Sequence, residues 1–405
     1  MKPTGPIPPD FAGQQRLTLG GRDFAELVED AGTPLFVYDY AVMADRVARL
    51  WAAFPGIDLH YAIKANPFPP VVAAMASLVQ GLDVASVGEL ERALAVKPAE
   101  AISFAGPGKR DPELEAAIRA GVTLNLESEG EADRALAIGQ RLGITPRLAV
   151  RVNPDFELKG SGMKMGGRAS PFGVDAARAP ALVRRIVAAG ADWRGFHIFA
   201  GSQALDTAAI IETQAATLAL AKRLAEEAGH VPPLVNLGGG FGIPYFAGDT
   251  PVNVEHIGVA LADAMTSLAI PGARYALELG RWLVGESGVY LTRVIDRKES
   301  QGQMFLICDG GLHHQLAASG NFGTVVRRNY PIAVADRIGA ETTETVNVVG
   351  PLCTPLDRLG DQVALPRADV GDVIAVFLAG AYGLTASPTG FLGHPAPPEL
   401  LVGAD

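Results

Sequence analysis

"HYAIKANPFPP", residues 60–70, begins as a short apolar run, carries Lys64 at its end and continues into Asn66 and three prolines. Proline has no N–H to give to a central strand, so the stretch predicts a buried strand that stops at Lys64. Seven similar runs follow: "LDVAS" (82–86), "AISFAG" (101–106), "VTLNLE" (122–127), "LAVRVN" (148–153), "GFHIFAG" (195–201), "LVNLGGG" (234–240) and "YALELG" (275–280). The segments between them, such as "TQAATLALAKRLAEEAG" (213–229), have the apolar spacing of amphipathic helices.

These eight strand–helix units predict an α/β chain with a (β/α)8 barrel rather than an open doubly wound sheet. After about residue 282 the pattern becomes β-rich, as in "SGVYLTRVIDRK" (287–298) and "DVIAVFLAG" (372–380). We therefore expect three parts: residues 1–34 packing with the second domain, a barrel over 35–281 and a β domain over 282–405.

Composition narrows the class of protein. Apolar residues make up 48% of the 405 residues and the net charge is −10, which argues for a large core and against nucleic-acid binding. No apolar stretch reaches the length of about 18 residues that a membrane helix needs, and no signal peptide opens the chain, so we expect a cytoplasmic protein. The two cysteines, Cys308 and Cys353, are too few for a disulfide framework.

Polar residues fall at the predicted strand ends, where barrel enzymes carry their catalytic side chains. They are Lys64, Asp83, Glu127, Asn153, His197, Gly238 and Glu278. Each alone has an ordinary structural explanation: a surface lysine, a helix cap, a core histidine or a turn. Their coincidence at matching positions favours one site.

The residue types predict a specific cofactor. A lysine in an apolar mouth is expected to have a lowered pKa, which frees its amine for a Schiff base, and consecutive glycines allow amides to approach a phosphate. A histidine ring can stack on a flat heterocycle, Glu278 can pair with a pyridine nitrogen, and Arg281 can bind phosphate. Together these features predict pyridoxal 5'-phosphate. A metal-dependent hydrolase would need clustered His and Asp; His313 and His314 are adjacent and expected to point apart, so no metal is predicted.

Seven ordered motifs also resemble a known family. They are "YAIKANP" (61–67), "GLDVASVGEL" (81–90), "GFHIFAGSQ" (195–203), "VNLGGGFGIPY" (235–245), "ELGRWLVGESG" (278–288), "GPLCTPLD" (350–357) and "GAYG" (380–383). In this order the sequence resembles the fold-type III pyridoxal-phosphate decarboxylases of ornithine, diaminopimelate and arginine. The resemblance implies an alanine-racemase-type TIM barrel, a C-terminal β-sandwich or β-barrel domain, and a head-to-tail homodimer with shared active sites.

The resemblance also implies the residue roles. Lys64 would form the Schiff base, His197 would stack on the ring, and Glu278, where alanine racemases have arginine, would favour decarboxylation through a quinonoid intermediate. Cys353 of a partner subunit would protonate that intermediate, with Asp357 near the substrate. The remaining cofactor contacts would come from Asp83, Ser202, Gly238, Gly239, Gly240, Gly280, Arg281 and Tyr382.

The substrate is the least determined feature. Diaminopimelate decarboxylases typically have the sequence Cys-Glu-Ser-x-Asp at this point. This chain has "CTPLD" at Cys353 to Asp357, so the distal ammonium of diaminopimelate would have fewer partners. Arg327 or Arg328, with Tyr330, lies near where those enzymes bind a distal carboxylate. The chain most resembles the subgroup with carrier-protein-linked glutamyl decarboxylases and exosortase-associated decarboxylases.

The expected function is therefore decarboxylation of an α-amino acid, free or tethered to an acyl carrier protein. For a tethered substrate, the loop cations Lys159, Lys164 and Arg168 are candidates for docking an acidic carrier. Two alternatives stay open: a decarboxylase of free meso-diaminopimelate, and a pyridoxal-phosphate-binding protein without turnover.

Overall fold

The computed structural model describes residues 1–157, 161–164, 166–320 and 327–404, with only the backbone described for 161–164. The first 53 residues form α1 (Pro9–Ala12), β1 (Thr18–Leu19), β2 (Arg22–Asp23), α2 (Phe24–Ala31), β3 (Leu35–Asp39) and α3 (Tyr40–Ala53).

The barrel elements follow in chain order. They are β4 (Asp58–Ala62), α4 (Pro69–Leu78), β5 (Gly81–Val84), α5 (Val87–Leu94), β6 (Ile102–Phe104), α6 (Asp111–Ala120), β7 (Thr123–Leu126), α7 (Glu129–Leu142), β8 (Arg147–Asn153), β9 (Ser161–Lys164), β10 (Val174–Asp175), α8 (Ala179–Ala188), β11 (Asp192–Ile198), β12 (Gly201–Ala204), α9 (Thr207–Ala228), β13 (Leu234–Gly239), α10 (Val254–Leu268), β14 (Arg274–Leu279) and α11 (Arg281–Val284). Short 3-10 turns cover Ile63–Ala65, Ala99–Ala101 and Gly285–Ser287.

Eight parallel strands close into a barrel in the order β4, β5, β6, β7, β8, β11, β13, β14, with β14 returning to β4. The predicted (β/α)8 fold is confirmed. The barrel strands are rich in apolar side chains and lie in the interior. In β5, for example, every residue is buried. Serines at the strand-to-helix junctions start the helices, because Ser86 and Ser128 accept the backbone N–H of Glu89 and Glu131. The chain therefore turns back at the same end of each strand, which gathers the strand ends into one mouth.

A second sheet holds the remaining strands. They are β15 (Gly288–Ser300), β16 (Gln303–Cys308), β17 (Ile332–Val334), β18 (Glu344–Val349), β19 (Arg358–Leu365), β20 (Val373–Phe377) and β21 (Glu399–Val402). The long strand β15 is central, because it pairs with β3 and β20 over its first part and with β16 over its second part.

Strand β3 changes the expected boundary between the domains. We expected the barrel to begin at residue 35, yet Leu35–Asp39 pairs with β15 and β21 of the second sheet. Its five residues are buried, as a strand covered on both faces requires. The first strand of the barrel is β4, which begins at Asp58.

Two hydrogen bonds join the second domain to the barrel mouth. The N–H of Tyr382 donates to the carbonyl of Ala65 at 2.8 Å, and Asn66 Nδ2 donates to the carbonyl of Gly380 at 3.0 Å. The "GAYG" loop therefore lies beside the turn that carries Lys64. Across the described ranges, no helix combines the length and the apolar character needed to cross a bilayer.

Candidate active site

Lys64 lies in the turn Ile63–Ala65, directly after β4. Its Nζ is 3.6 Å from Glu278 Oε1 and 5.8 Å from the centre of the Phe199 ring. Burial acts to lower the pKa of Lys64, but the charge of Glu278 and the neighbouring Tyr382 outweigh it, so the pKa is raised. The sequence-based expectation of a lowered pKa is therefore wrong for this structure, because the apolar mouth contains a buried carboxylate.

Glu278 and His197 form a buried pair at the ends of β14 and β11. Glu278 Oε2 is 2.7 Å from His197 Nε2, and both residues are nearly inaccessible to solvent. Burial alone would raise the pKa of Glu278, yet Lys64 and the hydrogen bond with His197 hold it well below its usual range. Glu278 is therefore an ionised carboxylate at the base of the mouth.

A narrow cleft that opens to solvent adjoins this pair. It brings together seven residues that the sequence predicted as one site: Lys64, Ser202, Gly240, Glu278, Gly280, Arg281 and Tyr382. Ala62, Phe199, Phe241 and Leu279 complete its lining and make one side apolar. The cleft therefore combines an amine, a buried carboxylate and an arginine.

Arg281 lies at the end of the cleft that is lined by Tyr382 of the second domain. Its Nη1 donates to the hydroxyl of Tyr245 at 2.8 Å, and its guanidinium lies 4.5 Å from the centre of the Tyr382 ring. Within the described part of the chain, no acceptor lies within hydrogen-bonding distance of its buried Nε. Burial acts to lower the pKa of Arg281, but the neighbouring phenol groups raise it. This end of the cleft is therefore a cationic site with an unused donor.

The glycine run Gly238, Gly239 and Gly240 permits a tight backbone approach next to Arg281. Gly240 has a φ of +80°, and a Cβ at this residue would lie 2.0 Å from the carbonyl oxygen of Gly201. One expected contact needs correction: the N–H of Gly238 already donates to Asn236 Oδ1 at 2.9 Å. The Gly238 amide is therefore engaged within the barrel, and Gly239 and Gly240 remain as candidates for an anion.

Tyr382 is held in a backbone conformation that a non-glycine residue rarely adopts, with a φ of +53°. Its N–H bond to Ala65 supports this conformation and places its ring against Arg281. Strain of this kind is found where the surrounding structure enforces it, often at functional sites.

Asp83 lies inside the barrel on β5 and has partners there. Its Oδ2 is 3.3 Å from His60 Nδ1, and its Oδ1 accepts a hydrogen bond from the hydroxyl of Ser103. Its charge also acts to raise the pKa of Lys64, less strongly than Glu278 and Tyr382 do. Asp83 therefore acts on the mouth from within the barrel.

Cys353 and Asp357 lie in the second domain and differ in exposure. Cys353 is exposed and is not among the residues that line the Lys64 cleft of its own chain. Asp357 is only 2% exposed, and its two oxygens accept the N–H groups of Leu312 and Leu352 at 2.6 and 2.8 Å. Asp357 therefore fixes the turn that presents Cys353.

Arg327, Arg328 and Tyr330, which the sequence predicted as substrate-binding residues, follow the undescribed residues 321–326 and contact different partners. Arg327 donates to the carbonyl of Leu356 at 3.2 Å, whereas Arg328 lies over the ring of Phe246. Tyr330 is buried, with its ring centre 4.8 Å from that of Tyr245, the residue that binds Arg281. Of the loop cations, Lys159 and the Lys164 side chain lie outside the described residues, and Arg168 is exposed.

Two features were not foreseen from the sequence. Arg151 is buried on β8, donates to Glu127 at 2.8 Å, and its charge acts on both Lys64 and Glu278. The sequence could have indicated this residue, because Arg151 lies two residues before Asn153 and therefore on the same face of the strand. His313 and His314 do not point apart as expected; their ring centres are 3.7 Å apart, because they lie in a turn rather than in a strand.

The donor set fits pyridoxal phosphate. An aldehyde needs an amine, which Lys64 would supply, and a ring nitrogen needs a buried carboxylate, which Glu278 would supply. A phosphate needs donors, and Arg281 Nε is an unused buried donor next to the hydroxyl-bearing Ser202 and Tyr382. The aromatic ring would lie against the apolar side of the cleft.

Comparison with known proteins agrees with this reading. Residues 41–285 match the family model described as the pyridoxal-dependent decarboxylase, pyridoxal binding domain. The chain is 35% identical over 395 residues to the L-glutamyl-[BtrI acyl-carrier protein] decarboxylase of Niallia circulans, covering 95% of this chain and 92% of that protein. It is 32% identical over 399 residues to the diaminopimelate decarboxylase of Methanothermobacter thermautotrophicus, covering 95% and 90%.

Solved structures give the same family. The diaminopimelate decarboxylase of Helicobacter pylori complexed with L-lysine superimposes with a TM-score of 0.84 at 28% identity, covering 94% of each chain. The M. jannaschii diaminopimelate decarboxylase with L-lysine gives a TM-score of 0.87 at 27% identity, covering 98% of this chain and 92% of that one. The predicted fold class, cofactor and carboxy-lyase activity are confirmed. The chain belongs to the family of pyridoxal-dependent decarboxylases.

Proposed function

We propose that the protein removes the α-carboxylate of an amino-acyl group that is tethered to an acyl carrier protein. The observation that carries the proposal is the turn Cys353 to Asp357, in which Asp357 is the only carboxylate. Because Asp357 is only 2% exposed and its oxygens bind backbone N–H groups of its own chain, this turn presents no exposed carboxylate to a distal ammonium. A substrate whose side chain ends in a neutral thioester has no distal ammonium and therefore needs no such carboxylate.

The similarity to the glutamyl carrier-protein decarboxylase of Niallia circulans supports this choice. In a glutamyl group tethered through its side chain, the distal carboxyl is neutral, and only the α-amino and α-carboxylate groups remain charged. The α-amino group would enter at Lys64, where Glu278 balances positive charge at 3.6 Å. The tether would leave through the open side of the cleft.

Bound pyridoxal phosphate supplies an aldehyde that reacts with amines and a ring that delocalises the electron pair left by carbon dioxide. Lys64 would hold the cofactor through its amine, at the place where the substrate amine must bind. Glu278 would keep a proton on the ring nitrogen, because its lowered pKa keeps the carboxylate ionised and able to accept that hydrogen bond. His197 fixes the orientation of Glu278 through their 2.7 Å contact.

The phosphate would be held by side chains and amides from both domains. Arg281 Nε, the hydroxyls of Ser202 and Tyr382, and the amides of Gly239 and Gly240 are the candidate donors. Tyr245 keeps the Arg281 guanidinium in place through its hydroxyl. Gly280, whose Cβ would lie 2.8 Å from that of Ala65, lets the strand end pass close to the Lys64 turn.

We further propose that the active site is shared between two copies of the chain. Cys353 is exposed and outside its own cleft, its turn also exposes the apolar Leu356, and the same domain exposes Phe391 and Leu392. In a homodimer, a second copy would place its Cys353 over the Lys64 cleft, where the thiol would return a proton to the substrate Cα. The two free thiols also suit a reducing compartment, which supports a cytoplasmic location.

Mixed dimers test the shared site. Lys64→Ala and Cys353→Ala are each expected to be inactive, yet mixing them should restore roughly a quarter of the wild-type activity, because half of the dimers keep one complete site. Independent monomeric sites would give no recovery.

The substrate is tested by measuring carbon dioxide release from a panel of free amino acids and carrier thioesters. We expect release from a γ-glutamyl group, which is tethered by its side chain, with a kcat/KM at least about 100-fold above that for free glutamate. The second candidate is free meso-diaminopimelate, favoured by the 32% identical relatives and by Arg327 near Leu356. Release from diaminopimelate alone would replace the carrier proposal.

A further inference from the structure

A second cavity lies at the end of the barrel opposite the Lys64 cleft. Its volume is about 400 Å³, which is within the usual range for small-molecule sites. No described residue lines both this cavity and the Lys64 cleft. The cavity opens where the strands begin, because its lining includes the first residue of five barrel strands: Asp58, Ile102, Thr123, Leu234 and Arg274.

Short side chains create this cavity. In most (β/α)8 barrels, bulky branched side chains fill the interior in layers. Here the lining residues of β6, β7, β8 and β13 include Ser103, Thr123, Asn125, Ala149 and Asn236. The sequence therefore leaves room inside the barrel and surrounds it with polar groups.

Asn236 presents a hydrogen-bond donor to the cavity. The residue is only 4% exposed, and its Oδ1 accepts the N–H of Gly238 at 2.9 Å, which fixes the orientation of the amide. The amide nitrogen Nδ2 is then left for the cavity, and in the described part of the chain it has no acceptor. A buried amide donor without a partner is costly, so this atom favours an acceptor inside the cavity.

Two further residues add donors. Gln80 Oε1 accepts the N–H of Leu59 at 2.8 Å, so its Nε2 is the atom left over. Arg194 Nη1 lies 3.5 Å from Asp192, and its buried Nε has no acceptor within the ranges that the structure describes. Asn236, Gln80 and Arg194 therefore offer three N–H groups to the same space.

Asn125 supplies one acceptor. The Ser103 hydroxyl donates to Asp83, so its oxygen accepts Asn125 Nδ2 at 3.2 Å. The Oδ1 of Asn125 is left without a donor among the described residues. The unused groups inside the cavity are thus mainly donors, which match the oxygens of an anion.

The rest of the lining suits a short carbon chain. Ile102, Phe196 and Leu234 give the cavity an apolar side. At the rim, Arg274 and Asp58 form an ion pair with each other. An inorganic anion would leave the apolar side unused, whereas an organic acid would cover it.

We propose that this cavity binds a small organic carboxylate. Its carboxylate oxygens would accept hydrogen bonds from Arg194, Gln80 and Asn236, and its carbon chain would lie against Phe196 and Leu234. The inference is independent of the proposed substrate, because none of these residues lines the Lys64 cleft.

The test compares three probes of equal length on the enzyme loaded with pyridoxal phosphate: glutarate, glutaramide and cadaverine. Isothermal titration calorimetry should show one glutarate per chain with a Kd of about 1 mM or tighter, and at least tenfold weaker binding of the uncharged glutaramide. Glutarate should also bind Lys64→Ala with the wild-type Kd, because that variant changes only the cleft. No glutarate binding up to about 10 mM, or preferred binding of cadaverine, would overturn the inference.

Two variants locate the bound glutarate. Arg194→Met removes a donor at the rim and should weaken binding at least tenfold, because hydrogen bonds to charged groups are the strong ones. Ala149→Leu fills the cavity without removing a hydrogen bond and should abolish binding. Thr123→Val is the matched control, because it changes a lining residue with almost no change in volume and none in the three donors.

The decarboxylase activity of the variants shows that they are folded. Because the cavity and the cleft share no described lining residue, kcat of Arg194→Met, Ala149→Leu and Thr123→Val should stay within about twofold of wild type. If Ala149→Leu fails to fold, Arg194→Met alone still decides. Active Arg194→Met that binds glutarate with the wild-type Kd would overturn the inference.

Discussion

Glu278 Oε2 lies 2.7 Å from His197 Nε2, while the other carboxylate oxygen of Glu278 lies 3.6 Å from Lys64 Nζ. One buried carboxylate therefore links His197 at the end of β11 to Lys64 in the turn after β4. The arrangement explains why Glu278 stays ionised despite its burial, and why Lys64 remains protonated in a mouth with apolar walls.

Replacing Glu278 with glutamine should reduce turnover and leave cofactor binding nearly intact. The amide keeps the volume and one hydrogen bond with His197, but it cannot hold a proton on the ring nitrogen. We expect kcat to fall by about 100-fold or more, the size found for losing one preorganised electrostatic group. Kinetics and the cofactor Kd measured on the same preparation check this, and unchanged kcat would remove Glu278 from the reaction.

The low pKa of Glu278 predicts how the stability of the cofactor-free protein depends on pH. A carboxyl whose pKa is lower in the folded than in the unfolded chain stabilises the fold above its unfolded value, about 4.3, and loses that contribution as pH falls toward the folded value. The wild type should therefore lose stability below about pH 4.3 more steeply than Glu278→Gln. Thermal unfolding at a series of pH values checks this; parallel curves for the two proteins would contradict it.

The two cysteines should differ sharply in reactivity. Cys353 is exposed, whereas Cys308 is fully buried in the second sheet, where burial and the nearby Asp309 raise its pKa strongly. Because the thiolate is the reactive form, iodoacetamide should modify Cys353 and spare Cys308. Intact mass should show one modification per native chain and none in Cys353→Ala. Modification of Cys308 in the native protein would contradict the burial seen here.

Gly240→Ala should weaken both the fold and cofactor binding. Its φ of +80° disfavours alanine, and the added Cβ would meet the Gly201 carbonyl at 2.0 Å, so the loop beside Ser202 must move. We expect the free energy of unfolding to fall by about 2 kcal/mol or more. Gly248→Ala is the matched control, because Gly248 has a similar φ of +87° with no atom within 4 Å of the added Cβ.

The control separates strain from contact. Gly248→Ala should lose only the strain of its backbone, about 1 kcal/mol, and keep the wild-type cofactor Kd. If both variants bound the cofactor equally well, the close approach at Gly240 would have no part in the site.

Much of the barrel was readable from the sequence because its strands are short apolar runs that end at polar residues. "HYAIKANPFPP" predicted the strand β4 with Lys64 at its end; β4 ends at Ala62, and Lys64 lies in the turn that follows. The cleft unites seven predicted residues from distant segments, because parallel strands bring their C-terminal ends to one mouth.

Properties that depend on three-dimensional neighbours were not readable. The pKa of Lys64 was expected to fall, but its direction depends on Glu278, which lies more than 200 residues away in the chain. The Gly238 amide was expected to be free, but Asn236 binds it. Leu35–Asp39 has the pattern of any buried strand, and its membership in the second sheet depends on pairing with β15.

The most direct test of the central claim is to locate the cofactor. The protein loaded with pyridoxal phosphate is reduced with borohydride, digested and analysed by peptide mass mapping, with Lys298→Ala, an exposed lysine of the second sheet, as the control variant. The account predicts one phosphopyridoxyl group per chain, on Lys64, retained in Lys298→Ala and absent from Lys64→Ala. A label on another lysine, or a Lys64→Ala protein that is still labelled stoichiometrically, would contradict it.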